Sequence, residues 1–106
     1  PFKTHGYLYV DMHRGVLSGA RLLQMKDWQA SVTKLAAAKI PNKPSSTGWY
    51  AVSLNKKYLN FGGASQMRLR FSKQDNGDKG DDYLNFYSGN APVSSRPKLI
   101  VKYYVP

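Results

Sequence analysis

The stretch QMRLRF at residues 66–71 alternates strictly between polar and apolar side chains. A period of two is the pattern of a β-strand with one face buried and the other face in solvent. We expect the apolar side chains to point into a core and the polar side chains to point outward. The apolar set is Met67, Leu69 and Phe71, and the polar set is Gln66, Arg68 and Arg70.

The same alternation recurs on both sides of this stretch. It predicts further strands at residues 7–11, 49–54, 83–87 and 98–105, separated by clusters of Gly, Pro, Asn and Ser. Between residues 22 and 38, helical spacing of apolar residues and an Ala-rich run favour a helix, which we limit to a short turn at 26–31. Trp28 is expected in the core. The pattern predicts one all-β domain, a sandwich or barrel, over residues 1–106.

The charge balance points to a polyanionic partner. Sixteen Lys and Arg oppose six Asp and no Glu, which gives a formal net charge of +10 at pH 7. Such a surplus attracts nucleic acid, anionic lipid or an acidic polysaccharide. The chain has no cysteine, which excludes disulfides, thiolate zinc sites and cysteine nucleophiles. The chain contains no run of 18 or more apolar residues, so no membrane span is predicted. Because the sequence starts at Pro1, we expect it to be a piece of a longer protein.

A set of short motifs covers the chain, and the more specific ones are C-terminal. They are PFKTHG at 1–6, LQ and DWQA within 23–30, MRLRF at 67–71, DNGD through DY at 75–83, FYSGN at 86–90, RP at 96–97 and YYVP at 103–106. Together they resemble the DNRLRE-type domains, a carbohydrate-binding-module family of secreted bacterial and archaeal proteins. The resemblance implies a jelly-roll-like antiparallel β-sandwich in which residues 22–38 form strands and at most one short helical turn.

This chain departs from the family in two respects. Family members usually continue upstream by several strands that this chain lacks, and they are seldom this basic. A sandwich without those strands exposes apolar faces and unpaired strand edges. We hypothesise that the missing N-terminal strands come from another chain or from the rest of the parent protein.

Two groups of residues are candidates for binding. The first is an acidic loop whose oxygen donors suit a structural Ca²⁺ ion; the alternative is a solvated turn that offsets Lys73 and Lys79. The loop contains Asp75, Asn76, Asp78, Asp81 and Asp82. The second is a set of outward Tyr, Arg and Lys side chains. The tyrosines would stack on sugar rings, and the basic side chains would donate hydrogen bonds to carboxylates. The alternative is that these side chains lie on two unrelated faces of the domain and form no common site. The set contains Tyr7, Tyr9, Arg68, Arg70, Tyr83, Tyr87, Lys98, Lys102 and Tyr104.

The sequence favours a non-catalytic module. Glycoside hydrolysis normally needs two facing carboxyl groups, and Asp81 and Asp82 would point to opposite faces of a strand. The catalytic strands of jelly-roll lyases are also missing. Binding of single-stranded nucleic acid fits the same aromatic and basic chemistry, but no nucleic-acid-binding motif is present. We expect an extracellular or cell-surface module that binds an anionic polysaccharide; the alternative is a structural or adhesive filament subunit that self-assembles through strand edges.

Overall fold

The computed structural model of the chain describes residues 5–20, 22–73, 77, 79, 84–103 and 105. These residues contain one antiparallel sheet of three strands in the order β2-β1-β3. The strands are β1 (Leu8–Arg14), β2 (Lys34–Ile40) and β3 (Ser65–Phe71). The helical elements assigned there are three 3-10 turns: η1 (Leu17–Gly19), η2 (Met25–Gln29) and η3 (Lys56–Tyr58). The all-β prediction is therefore confirmed.

The alternation rule is right for two strands and wrong for others. Strands β1 and β3 cover the predicted stretches 7–11 and 66–71 almost completely, and β1 continues to Arg14. Residues 49–54, 84–87 and 98–103 were also predicted as strands, but they have no strand pairing. Alternation indicates which side chains could share a buried face, yet it cannot supply a hydrogen-bonding partner. The described residues thus form one sheet, and the jelly-roll sandwich stays a prediction.

The helical turns also differ from the expectation of at most one. Turn η2 at Met25–Gln29 corresponds to the predicted turn at 26–31, whereas η1 and η3 were not predicted. Turns of three residues are too short to leave a periodic signal in the sequence. Trp28 was expected in the core, but 68% of its surface is exposed. The reason is that η2 is held through its backbone, as described below, and through the buried side chain of Asp27, while Met25 and Trp28 point outward.

The core lies on one face of the sheet. Leu8, Val10 and Met12 of β1 are buried there together with Ile40 of β2. The register places Leu69 opposite Val10, and Phe71 of β3 packs against the core. Met67 and Leu69 were also predicted to point into the core, but 36% and 45% of their surfaces are exposed. Among the described residues, the cover comes from irregular chain that crosses this face rather than from a second sheet. Its partly buried side chains are Tyr50, Leu54, Tyr58, Leu59 and Leu84.

Strand β2 forms from the Ala-rich segment that favoured a helix. Its pairing with β1 overrides the helix propensity of alanine, as tertiary contacts commonly do. The register pairs Val10 with Ala38 and Met12 with Lys34, so that Asp11 faces a bulge at residues 35–37. Ala36, in the middle of the bulge, has φ +51°. This left-handed conformation is strained for a residue with a Cβ atom.

Ala36→Gly is expected to stabilise the protein. Relief of the left-handed strain outweighs the larger entropy of glycine in the unfolded chain, for a net gain of about 0.5–1 kcal/mol. Urea denaturation of both proteins measures the gain. Ala38→Gly is the matched control, because Ala38 has negative φ and packs against the core. We expect Ala38→Gly to be destabilising, and a loss of stability in Ala36→Gly would contradict the strain.

Candidate functional site

The outer face of the sheet carries two tyrosines between two cations. Tyr9 of β1 lies directly opposite Lys39 of β2 and opposite Arg70 of β3. Tyr7 lies two residues before Tyr9 on the same side of the chain, and the two ring centroids are 6.1 Å apart with an interplanar angle of 49°. We call Tyr7, Tyr9, Lys39 and Arg70 the tyrosine face. Cross-strand register therefore builds this group, which no single segment of the sequence contains.

Each tyrosine of this face contacts one cation. The Nζ atom of Lys39 lies 4.3 Å from the ring centroid of Tyr7, and the Cζ atom of Arg70 lies 5.3 Å from that of Tyr9. A cation at this distance from an aromatic ring is attracted by about 0.5–1 kcal/mol at an exposed site. These contacts order the two long basic side chains over the sheet. A ligand with a carboxylate and an apolar ring surface finds both kinds of partner within one patch.

The backbone around Tyr7 is fixed by Ser72. The amide N–H of Tyr7 donates to Ser72 Oγ over 3.0 Å, and the amide N–H of Ser72 donates to the carbonyl of Tyr7 over 2.8 Å. Gly6, just before Tyr7, has φ +78°, and a Cβ atom there would collide with Ser72 Oγ. A glycine is thus required for the close approach of the two chains. The result is a defined position for Tyr7 beyond the end of β1.

Asp11 is the centre of a buried ion cluster on the same side of the sheet. Its side chain is 0% exposed, whereas those of Arg68 and Arg70 are 11% and 23% exposed. Arg68 donates from Nε and Nη2 to Oδ2 of Asp11 over 2.9 and 2.8 Å. Arg70 donates from Nε to both carboxylate oxygens, over 3.1 and 2.8 Å. The amide N–H of Ala36, in the bulge of β2, donates to Oδ1 over 2.7 Å.

Two opposing effects set the pKa of Asp11. Burial of the carboxyl raises its pKa, because desolvation disfavours the charged form. The hydrogen bond from the Ala36 N–H and those from Arg70 and Arg68 lower the pKa, as does the charge of Arg70, and together they outweigh burial. The pKa of Asp11 therefore lies below its ordinary value, and the carboxylate is ionised at neutral pH.

The two arginines have different roles in this cluster. The Nη1 atom of Arg68 donates to three backbone carbonyls, those of Asp27, Trp28 and Ala30, over 3.0, 3.1 and 2.8 Å. All three of its nitrogens are thus engaged within the fold, and Arg68 holds the η2 segment against the sheet. The two terminal nitrogens of Arg70 have no hydrogen-bond partner in the described part of the chain. Arg70 is therefore the arginine with donors available to a ligand.

Three of the remaining predicted ligand residues lie outside the sheet. Tyr87, Lys98 and Lys102 are exposed on irregular chain. The Nζ atom of Lys98 lies 4.9 Å from the ring centroid of Trp49, and no hydrogen bond or ring contact in the described structure joins these three residues to Tyr7 or Tyr9. Tyr83 and Tyr104 lie outside the described residues, as do the predicted calcium ligands Asp75, Asn76, Asp78, Asp81 and Asp82.

Sequence reasoning missed two residues of this region. Lys39 was not assigned to the site because β2 was expected to be part of an ambiguous helical segment. Asp11 was not assigned to the site either. One signal was present for Asp11, since it alternates with Leu8 and Val10 on β1 and two arginines alternate in the same way on β3. Pairing these two strands in register would have brought Asp11 opposite Arg68.

Comparisons with protein-family models, with curated proteins and with solved structures give no match to this chain. The resemblance to the DNRLRE-type domains thus stays a prediction. Among the residues that the structure describes, no group of three or more acidic, His or Cys side chains could hold a metal ion. In the same residues, no helix has the length and apolar character needed to cross a bilayer.

Proposed function

We propose that the tyrosine face binds an acidic polysaccharide and that the chain is a non-catalytic, extracellular module related to the DNRLRE-type domains. The observation that supports this proposal is the placement of Tyr7 and Tyr9 side by side between Lys39 and Arg70. Sugar rings present apolar C–H surfaces that stack on tyrosine, and uronate carboxylates accept hydrogen bonds from Lys and Arg. The net charge of +10 adds long-range attraction for a polyanion.

Arg68 has a different role in this proposal from the one first expected. It was predicted as a ligand residue, yet its nitrogens are occupied by Asp11 and by the η2 carbonyls. We assign it to positioning, because it fixes the carboxylate that in turn orients Arg70. The guanidinium of Arg70 lies over the ring of Tyr9, and its terminal nitrogens have no hydrogen-bond partner among the described residues. Rigid placement of a donor before binding reduces the ordering cost of association.

Lys39→Gln is expected to weaken binding of pectate oligosaccharides by about tenfold, since a hydrogen bond to a charged group contributes on the order of 1.5 kcal/mol. Isothermal titration calorimetry at physiological salt measures this change. Lys43→Gln is the matched control, because it removes the same charge from an exposed loop. Equal weakening by both variants would mean that net charge alone attracts pectate.

Two further arms test the chemistry of the ligand. Methyl-esterified pectin keeps the sugar rings and removes the carboxylate charge, so the proposal expects it to bind much more weakly than pectate. Titration in calcium and then in chelator tests the acidic loop at residues 75–82. If chelator changes neither affinity nor thermal stability, the calcium site is removed from the proposal while the tyrosine face stands.

A structural filament subunit is the second candidate function. Leu99, Ile100 and Val101 are exposed on chain that pairs with no strand of the described sheet. In the sheet order, β2 and β3 are the outer strands, so each offers an edge to another chain. Those edges could also accept the N-terminal strands that the family resemblance implies. Size-exclusion chromatography with light scattering separates the candidates, because a filament subunit forms large assemblies that are indifferent to pectate.

A further inference from the structure

Asp27 is a buried acid that the proposed function does not use. It is 6% exposed and lies in η2, on the far side of Arg68 from Asp11. Its Oδ2 atom accepts a hydrogen bond from the amide N–H of Gln24 over 2.9 Å. Its Oδ1 atom is buried and has no hydrogen-bond partner in the described part of the structure. An unpartnered buried oxygen costs about 1–3 kcal/mol, and more when it is charged.

A cavity of about 260 Å³ lies beside this carboxylate. Its lining consists of Asp27, Gln66 and three apolar side chains, Leu17, Leu23 and Met67. The Oε1 atom of Gln66 already accepts the amide N–H of Leu17 over 2.7 Å, so the amide side chain of Gln66 is fixed in the wall. The lining therefore combines apolar side chains with a single carboxylate, whose buried Oδ1 atom has no hydrogen-bond partner in the described part of the structure.

We infer that this cavity binds a primary ammonium at the end of an alkyl chain, as in a lysine side chain. The methylene groups would contact Leu17, Leu23 and Met67, and the ammonium would donate to Asp27. A divalent metal ion does not fit, because Ca²⁺ takes six to eight oxygen ligands and no such group of acids occurs here in the described residues. A guanidinium fits less well, since several of its five donors would face apolar walls.

The charge of the chain makes this inference easy to test. A protein of net charge +10 repels cations at long range. At physiological salt this repulsion is screened beyond about 8 Å, so a cation that binds must gain its affinity from local contacts. Retention of an alkylammonium by this chain would thus point to a carboxylate that contacts it, and Asp27→Asn distinguishes Asp27 from the four Asp of the acidic loop at residues 75–82. In the described residues the acids are Asp11 and Asp27, and Asp11 is already paired with two arginines.

The test is an NMR titration with Nα-acetyl-lysine methylamide against Nα-acetyl-norleucine methylamide, which has no ammonium group. We expect the lysine probe to shift the amide signals around the cavity saturably and the norleucine probe to bind at least about tenfold more weakly. Asp27→Asn keeps the shape and should lose the preference for lysine. Equal binding of both probes, unchanged preference in Asp27→Asn, or no saturable shift would overturn the inference.

A second variant and a second readout guard against a folding defect. Leu23 is exposed while lining the cavity, so Leu23→Ser should keep the fold and weaken both probes. Pectate binding should be unchanged in Asp27→Asn, which separates this cavity from the tyrosine face. Light scattering identifies the source of the lysine. Self-association that excess lysine probe reverses assigns it to a second copy of this chain, and a monomer that binds the probe assigns it to another molecule.

Discussion

Asp11→Ala is expected to lower the free energy of unfolding by about 3–5 kcal/mol, the usual effect of removing one partner from a buried ion pair. The substitution leaves Arg68 and Arg70 without the carboxylate that neutralises them, and both side chains are largely buried. It also removes the acceptor of the Ala36 N–H in the bulge of β2. Because Asp11 links all three strands, its loss weakens the sheet on both sides of β1.

Urea denaturation followed by circular dichroism measures this loss. Asp11→Asn is the milder variant, since its amide oxygen can still accept from Ala36, and it keeps the prediction testable if Asp11→Ala does not fold. Asp27→Ala is the matched control, because it makes the same chemical change at a buried acid outside the cluster. A loss in Asp11→Ala no larger than that in the control would show that the cluster contributes little to stability.

The pH dependence of stability follows from the same cluster. The folded protein lowers the pKa of Asp11, so the stabilisation is fully present above the ordinary Asp pKa of about 3.9. It is lost as the pH falls through the lower pKa of the folded state. Acid titration of the wild type should show this loss below about pH 4. Asp11→Asn should lack this part of the pH dependence, since its side chain cannot be protonated in this range.

Alternation in the sequence was sufficient for β1 and β3 because each strand has one apolar and one polar face. It failed for β2, where an Ala-rich run carries no β propensity and the strand exists through its pairing with β1. It also predicted strands at 49–54 and 98–103, where the apolar residues cover the core or remain exposed. A period of two therefore indicates only that polar and apolar side chains alternate. A strand also needs a neighbouring segment whose backbone pairs with it by hydrogen bonds, and the local sequence does not identify that segment.

The sequence predicted those residues of the site whose outward position follows from alternation within a single strand. Tyr9 of β1 and Tyr7, which directly precedes this strand, have the same parity, and Arg70 lies on the outer side of β3. Their outward placement therefore followed from parity alone. Register between strands was not available from the sequence. Arg68 and Asp11 are 57 residues apart, and their pairing converts a predicted ligand residue into a positioning residue. Lys39 reaches Tyr7 for the same reason, through the pairing of β2 with β1.

Arg68→Lys is expected to lower the free energy of unfolding by about 2–3 kcal/mol, although it keeps the charge. The guanidinium of Arg68 donates from two nitrogens to Asp11 and from the third to the carbonyls of Asp27, Trp28 and Ala30. A single ammonium cannot reach both groups, so the η2 carbonyls lose their donor. Hydrogen exchange should accelerate at residues 25–30 in addition to the global loss measured in urea.

Arg70→Lys is the control that separates the effect of the planar, multiple-donor guanidinium from the effect of its positive charge. Arg70 contacts Asp11 through Nε alone, and a lysine ammonium can replace that contact. We therefore expect Arg70→Lys to be clearly less destabilising than Arg68→Lys and to leave exchange at residues 25–30 unchanged. Equal effects of the two variants would mean that neutralising Asp11 is the whole contribution of both arginines. A larger effect at Arg68, localised to η2, would show that one planar side chain joins the sheet to the segment that lines the Asp27 cavity.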